Sequence, residues 1–191
     1  MESRLTDEDE REFLLRLFFG EVRDELRSAI RSAYSDFKRT LRGFQRYADR
    51  SSIKPAADEV LYDAMSELLS TRVSSQDVFD AWHKTTCDNL RSAFGGFNLY
   101  YGQAQKWINM SLKYLFVLER ARVAPYWQYC HIPIDYRMLR RLERHAVPRF
   151  SSPAWSKIDS YEEYMHFQSW FRAEFEGIPM DNEWRLWLGP N

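Results

Sequence analysis

The sequence predicts a single compact all-α domain. Apolar residues recur at steps of three and four over most of the chain, which is the pattern of amphipathic helices. Only seven Gly and seven Pro occur among 191 residues, and this disfavours a turn-rich β-sandwich or barrel. The sequence contains no pair of alternating strands and no internal repeat. Its 45% hydrophobic and 16% aromatic residues are sufficient for one hydrophobic core.

The same composition restricts the cellular setting. The two cysteines, Cys87 and Cys130, cannot form a disulfide framework, and no signal peptide precedes the acidic first residues. The apolar runs are far shorter than the ~20 residues that span a bilayer. We therefore expect a cytoplasmic protein without a membrane segment. A formal net charge of −1 excludes a surface that is basic throughout, although a local basic face remains compatible with it.

The first part of the chain is predicted to be helical after a frayed, acidic start over residues 1–12. Thr6 or Asp7 is the expected N-cap of the first helix, since both side chains can accept a backbone N–H. Apolar residues then follow helical spacing over residues 13–48. Gly20 is expected to divide this stretch into two helices.

Two further helices complete a long N-terminal helical segment over residues 13–94. Pro55 is suited to the first turn of one of them, because its fixed φ matches a helix start. Ser75 is the expected N-cap of the other, which Gly95 and Gly96 should end.

The remaining chain divides into a hairpin and catalytic segment, residues 95–146, and C-terminal helices over residues 147–191. In the first, an amphipathic helix is predicted from about residue 103 to residue 122, and Asp135 occupies the N-cap position of the next helix. In the second, Ser160 and Glu163 have the spacing of a capping box. A short last helix is expected over residues 184–188.

A lysine and an aspartate, 29 residues apart, are the candidate catalytic pair. Lys106 lies one turn into a predicted helix, behind a turn over residues 102–105 whose backbone N–H groups suit a phosphate. Beside Trp107 its ammonium would lose water, and desolvation favours the free amine that a nucleophile needs. Asp135, at a helix N-terminus, is stabilised as a carboxylate. An amine beside a carboxylate suits attack at C1′ of a nucleotide.

At these residues the sequence resembles the helix-hairpin-helix DNA glycosylase superfamily, in particular its 8-oxoguanine glycosylase/lyase members. In that family a Gly-x-Gly-x-Lys hairpin places the Schiff-base lysine, and residues 102–106 match it. A later Pro-Val-Asp segment supplies the catalytic aspartate, and residues 133–135 match that pattern. The resemblance covers about residues 95–146. Two departures are the replacement of the second glycine by Ala104 and a separation longer than in typical members.

The resemblance implies the core of that superfamily and the activity of a base-excision glycosylase and abasic-site lyase on a modified purine. Lys106 would form the Schiff base, and Asp135 would act as the general base or stabilise positive charge. Neither a cofactor nor a metal is implied. The partner would be DNA or a related nucleic acid with the damaged nucleotide flipped out of the duplex. The oligomeric state and the identity of the base stay open.

Further residues are assigned to substrate binding. A cluster of arginines follows the predicted catalytic helix and suits phosphates. Aromatic residues close to the catalytic pair are suited to stack on a flipped base. The predicted nucleic-acid-binding residues are Gly102, Gln103, Gln105, Arg137, Arg140 and Arg141, and the predicted base-stacking residues are Trp107, Tyr126 and Trp127.

Three alternatives use other features. The first is a non-catalytic α-helical protein, of prokaryotic or phage origin, that binds nucleic acid or a protein partner. The second is a HEPN-type ribonuclease, because Arg140 and His145 have its Arg-x4-His spacing. The third is a zinc site whose four ligands would be His83, Cys87, Cys130 and His131. Buried cysteines and hydrogen-bonded histidines without a metal explain these residues more simply.

Overall fold

The structure is a computed structural model that describes residues 5–189, and all regular structure in this range is helical. The predicted all-α class is therefore confirmed. No helix within the described range has both the length and the apolar character needed to cross a membrane. The α-helices are α1 (Asp7–Phe19), α2 (Glu25–Phe37), α3 (Arg50–Ser70), α4 (Gln76–Ala93), α5 (Tyr101–Leu118), α6 (Arg120–Val123), α7 (Tyr136–Arg141), α8 (Tyr161–Glu174) and α9 (Pro179–Leu188).

Helix α5 is the centre of the fold. It packs most extensively against α2 and also contacts α4, α6 and α8. Every residue from 102 to 113 is buried, including five with amide or ammonium side chains. Buried polar groups must find partners inside the protein, because an unpaired one costs free energy. The partners of Gln105, Lys106, Asn109 and Lys113 therefore organise the surroundings of α5.

The predicted caps are largely confirmed. Thr6 forms a capping box with Asp9 at the start of α1, and α1 ends before Gly20, whose φ is 74°. Ser75 accepts the backbone N–H of Val78 at the start of α4. The prediction of a frayed start over residues 1–12 is wrong from residue 7 onward, because the capped first turn of α1 begins there; residues 1–4 lie outside the described range.

Three predicted boundaries are corrected. Helix α2 ends at Phe37, and short 3-10 turns replace the helix expected up to residue 48. The chain turns at Gly43, whose φ is 87°, and this turn buries the side chain of Phe44. Helix α3 begins at Arg50, so Pro55 lies in its second turn. Helix α9 begins five residues earlier than expected and has Pro179 in its first turn.

The start of α5 depends on a close backbone approach at Gly102. The helix begins at Tyr101, two residues earlier than predicted, so residues 102–105 form helix and not the predicted turn. The Gly102 N–H donates to the carbonyl of Ile158 at 3.0 Å. A Cβ at this position would overlap the carbonyl oxygen of Trp155, so the glycine lets the loop after α7 lie against α5.

We expect Gly102→Ala to lower the free energy of unfolding by about 2 kcal/mol, within the usual cost of overpacking. The reason is that the methyl group meets backbone, which cannot rotate away. Urea unfolding monitored by circular dichroism measures the change. Gly177→Ala is the control, because its Cβ would meet nothing within 4 Å and only its φ of 93° is unfavourable. A smaller loss for Gly102→Ala than for this control would contradict the prediction.

Candidate functional site

A cavity of about 480 Å³ lies between α5, α7 and α9. Its volume falls in the range of small-ligand sites, roughly 300–1,000 Å³. Side chains of α5 at positions i, i+4, i+7 and i+8 form one wall, because these positions share a helix face. The lining residues are Phe18, Asp36, Arg39, Lys106, Met110, Lys113, Tyr114, Val117, Asp135, Tyr136, Arg137, Trp155, Glu183, Trp184 and Trp187.

Lys106 and Asp135 form an ion pair at one end of the cavity. Nζ lies 2.5 Å from Oδ2, and the Lys106 side chain is 5% exposed. The other oxygen of Asp135 accepts the Met138 N–H at 2.8 Å, which confirms the predicted N-cap of α7. Burial raises the pKa of Asp135, but the positive charge and hydrogen bond of Lys106 outweigh it. The pKa of the carboxyl therefore lies below its ordinary value, and Asp135 is ionised at neutral pH.

The side chain of Gln105 fixes the backbone before Asp135 against α5, next to Lys106. Its side chain accepts the Ile134 N–H at 3.1 Å and donates to the Ile134 carbonyl at 2.8 Å. Gln105 precedes Lys106 and Ile134 precedes Asp135, so the amide clamps the backbone next to both catalytic candidates. Asn109 donates to the same Gln105 oxygen at 3.0 Å, which fixes the amide in turn.

A second ion pair lies one heptad further along α5. Lys113 Nζ is 2.5 Å from Glu183 Oε2, and the side chains are 9% and 2% exposed. Burial lowers the pKa of Lys113 and raises that of Glu183, and their mutual attraction only partly offsets this. The ammonium lies 5.2 Å from the ring centroid of Trp184 and 5.6 Å from that of Trp187.

Sequence reasoning missed this second pair. Its one local signal is that Lys113 lies seven residues after Lys106, on the same face of α5. Glu183 is 70 residues further along the chain, and only the packing of α9 against this face brings the two groups together.

A third polar contact borders the cavity on the α2 side. The Tyr114 hydroxyl donates to Asp36 Oδ2 at 2.7 Å. Burial raises the pKa of both groups, and the nearby Asp36 charge raises that of Tyr114 further. Arg39 and Arg137 also line the cavity, so cationic groups stand close to the carboxylates.

The predicted phosphate-binding turn is corrected. Gly102, Gln103 and Gln105 are buried in the first two turns of α5. Gln103 donates to the Thr40 carbonyl at 3.1 Å, and Gln105 clamps Ile134. Because their polar groups bond within the protein, they are not available to a phosphate. The reason for the error is that the helix begins before the glycine and turns this segment inward.

The predicted base-stacking residues are also corrected. Trp107 is fully buried and its indole N–H donates to the Ile30 carbonyl at 3.0 Å, so it belongs to the core. Tyr126 and Trp127 are 7% and 4% exposed and do not line the cavity. Hydrophobic burial selected these large rings for the core. The aromatic side chains that do line the cavity come chiefly from the C-terminal part of the chain, including Trp155, Trp184 and Trp187.

The predicted arginines on α7 differ in position. Arg137 lines the cavity, lies 3.8 Å from the Trp187 ring centroid and donates to the Trp187 carbonyl at 3.1 Å. Arg140 and Arg141 are exposed outside the cavity. Arg140 Nε is 3.6 Å from Glu143, an exposed pair of little energetic consequence.

The residues of the two alternative sites have other partners. His145 Nδ1 lies 2.7 Å from Glu174 Oε1. His83 and His131 are buried and both bond to the hydroxyl of Tyr164. Burial lowers the pKa of both histidines, so both are neutral at pH 7. In residues 5–189, no group of three or more His, Cys, Asp or Glu side chains is arranged to hold a metal ion.

Comparisons with known proteins add no assignment to this geometry. No protein-family model, no curated protein and no solved structure matches the chain. The candidate site therefore rests on the arrangement of the side chains around the cavity.

Two of the three carboxyl groups that line the cavity, Asp135 and Glu183, are expected to titrate on opposite sides of their ordinary pKa values. Carbon-detected NMR should give a midpoint below 3.8 for Asp135 and above 4.5 for Glu183. Lys106→Gln should raise the Asp135 midpoint, because it removes the neighbouring positive charge. Lys84→Gln, in an exposed ion pair on α4, should leave it unchanged. An Asp135 midpoint that does not rise in Lys106→Gln would rule out the ion pair in solution.

Proposed function

We propose that this protein is a base-excision DNA glycosylase with lyase activity, acting on a modified purine that is flipped into the cavity. The observation that supports the proposal is the meeting of Lys106 and Asp135 at the end of a base-sized cavity. An amine and a carboxylate at 2.5 Å are within reach for proton transfer. The Lys106 side chain is also 5% exposed, so little water reaches its amine.

Lys106 would act as the nucleophile. Asp135 takes a proton from Nζ, and the freed lone pair forms a bond to C1′ of the flipped nucleotide. The bond from C1′ to the base breaks, its electron pair leaves with the base, and the base takes up the proton from Asp135. The nitrogen then passes its remaining extra proton to O4′ as the sugar ring opens. The product is a protonated Schiff base between Lys106 and C1′.

The other end of the cavity would hold the base. An ionised carboxylate accepts N–H groups and an ammonium donates to a carbonyl, so Glu183 and Lys113 together fit an edge that offers both. Trp184 and Trp187 present aromatic rings, and Met110 adds a polarisable side chain on the α5 wall. The helical rise places the two lysines about 10 Å apart along α5, which separates base recognition from chemistry at the sugar.

Arginines near the cavity would hold the phosphates that flank the flipped nucleotide. Arg39 and Arg137 line it, and Arg140 and Arg141 extend the basic surface along α7. Arg suits this task, because its planar fork of donors matches a phosphate.

Borohydride is expected to trap a covalent complex between the protein and lesion-bearing DNA. Lys106→Gln should abolish the adduct, because the nucleophile is lost. Asp135→Asn should slow its formation by about 100-fold or more, since proton transfer contributes about 10²–10⁴-fold. Denaturing electrophoresis measures the adduct, and Lys84→Gln, in an exposed ion pair, is the matched control. If folded wild-type protein binds the DNA but no lesion in a purine panel gives an adduct, the chain binds nucleic acid without this chemistry.

Glu183→Gln is expected to separate base recognition from the lyase step. Excision of the base should fall at least tenfold, because the carboxylate that accepts the N–H groups is lost. Cleavage at a preformed abasic site should stay within about threefold of wild type, since that substrate has no base to recognise. The comparison is of single-turnover rates on the two substrates. Equal losses on both would assign Glu183 a structural role.

A further inference from the structure

A second groove adjoins the candidate site. It has a volume of about 790 Å³, and Val117 and Trp184 line both this groove and the cavity. The two therefore lie on either side of one aromatic side chain. The groove is further lined by Arg11, Phe116, Arg120, Ala124, Trp127, Gln128, Ile178, Asp181 and Arg185.

The partly exposed rings of Phe116 and Trp184 form the floor of this groove, and the buried ring of Trp127 supports them from below. The rings of Phe116 and Trp127 stack with centroids 3.8 Å apart and planes inclined by 12°. Trp184 packs against both at 6.3 and 6.2 Å. The Trp127 indole N–H donates to Asp181 at 2.7 Å, which fixes the ring and occupies that carboxylate. The floor is thus formed before any ligand binds.

Three arginines from separate elements surround the floor. Arg11 comes from α1 and donates to the Val117 carbonyl at 3.0 Å. Arg120, at the start of α6, lies 5.0 Å from the Phe116 ring centroid, and Arg185 comes from α9. Within the described part of the chain, none of the three forms an ion pair with a carboxylate. Asp181 is the single acid that lines the groove there, so the groove is net positive.

We propose that this groove binds single-stranded nucleic acid. Unpaired bases stack on aromatic side chains, and arginines neutralise the backbone and stack on bases. A duplex buries its bases and could not use the aromatic floor. The contact at Trp184 would let one strand continue from the groove to the cavity. The inference shares with the proposed function only the nucleic-acid partner, and it requires neither Lys106 nor a reaction.

An acidic peptide would use the arginines but not the floor. Its carboxylates can pair with guanidinium groups, whereas its backbone has no planar ring to stack. The combination of a net positive rim and a stacked aromatic floor therefore favours a nucleic acid.

The test is binding of a fluorescein-labelled oligothymidylate without a lesion, followed by anisotropy at several salt concentrations. The groove variant combines Arg11→Gln, Arg120→Gln and Arg185→Gln. The control combines Arg23→Gln, Arg72→Gln and Arg149→Gln, three arginines exposed elsewhere with the same loss of charge. We expect the groove variant to bind at least tenfold more weakly than the control. Its slope of log K against log salt should be smaller by about 2, at roughly 0.7 per phosphate contact.

The aromatic floor is tested separately through Phe116→Leu, which keeps all arginines. We expect a loss of about tenfold, within the range for one stacked base. If the triple variant does not fold, this single change and Arg120→Gln decide the question. Three outcomes would each overturn the proposal. The groove and control variants could lose affinity equally, or the wild-type protein could fail to bind. Oligoglutamate could also displace the labelled strand as effectively as unlabelled oligothymidylate does.

The outcome is distinct from that of the trapping experiment. Lys84→Gln should bind oligothymidylate as wild type does, because Lys84 lines neither the groove nor the cavity. A groove that binds DNA in a protein that forms no adduct would leave this inference intact and exclude the glycosylase. A trapped adduct, together with equal binding of oligothymidylate by the groove and control variants, would support the glycosylase and overturn this inference.

Discussion

The ammonium of Lys106 can be buried because a carboxylate lies directly against it. An isolated charge in the protein interior costs several kcal/mol of desolvation, and one partner at 2.5 Å offsets much of that cost only if its position is fixed. Asp135 is fixed twice, by the Met138 N–H at the start of α7 and by the Gln105 clamp on the preceding residue. The loop before α7 and the wall of the cavity depend on this arrangement.

The clamp is part of a larger buried network that reaches the opposite side of α5. Asn109 donates to Gln105 and contacts the Tyr164 hydroxyl at 3.0 Å. That hydroxyl lies 2.8 Å from His131, whose other ring nitrogen is 2.7 Å from Asp80. Members of this network come from α4, α5, α8 and the loop before α7, so it ties four parts of the chain together. A satisfied network of this kind gives a core one specific arrangement, whereas a partly satisfied one would cost stability.

The cavity divides its polar groups along α5. One heptad separates Lys106 from Lys113, and each ammonium has its own carboxylate from a different later segment. Ion pairs buried in this way are weak contributors to stability, since apolar residues of similar size often do as well. Their placement in a cavity with aromatic walls therefore supports the proposed binding role. The arginine-lined groove beyond Trp184 extends the same surface with one aromatic ring in common.

The sequence by itself determined the helical class, the caps at Thr6, Ser75 and Asp135, and the pairing of Lys106 with Asp135. Periodicity and capping depend on residues a few positions apart, whereas the pairing was implied by the resemblance of residues 102–106 and 133–135 to two motifs of one enzyme family. Only the tertiary structure decided that residues 102–105 turn inward and which aromatic rings line the cavity. It also decided that Glu183 meets Lys113. The physical reason is that a local sequence pattern predicts where a helix forms. Packing between helices decides which face of that helix is buried and which distant group neutralises a buried charge.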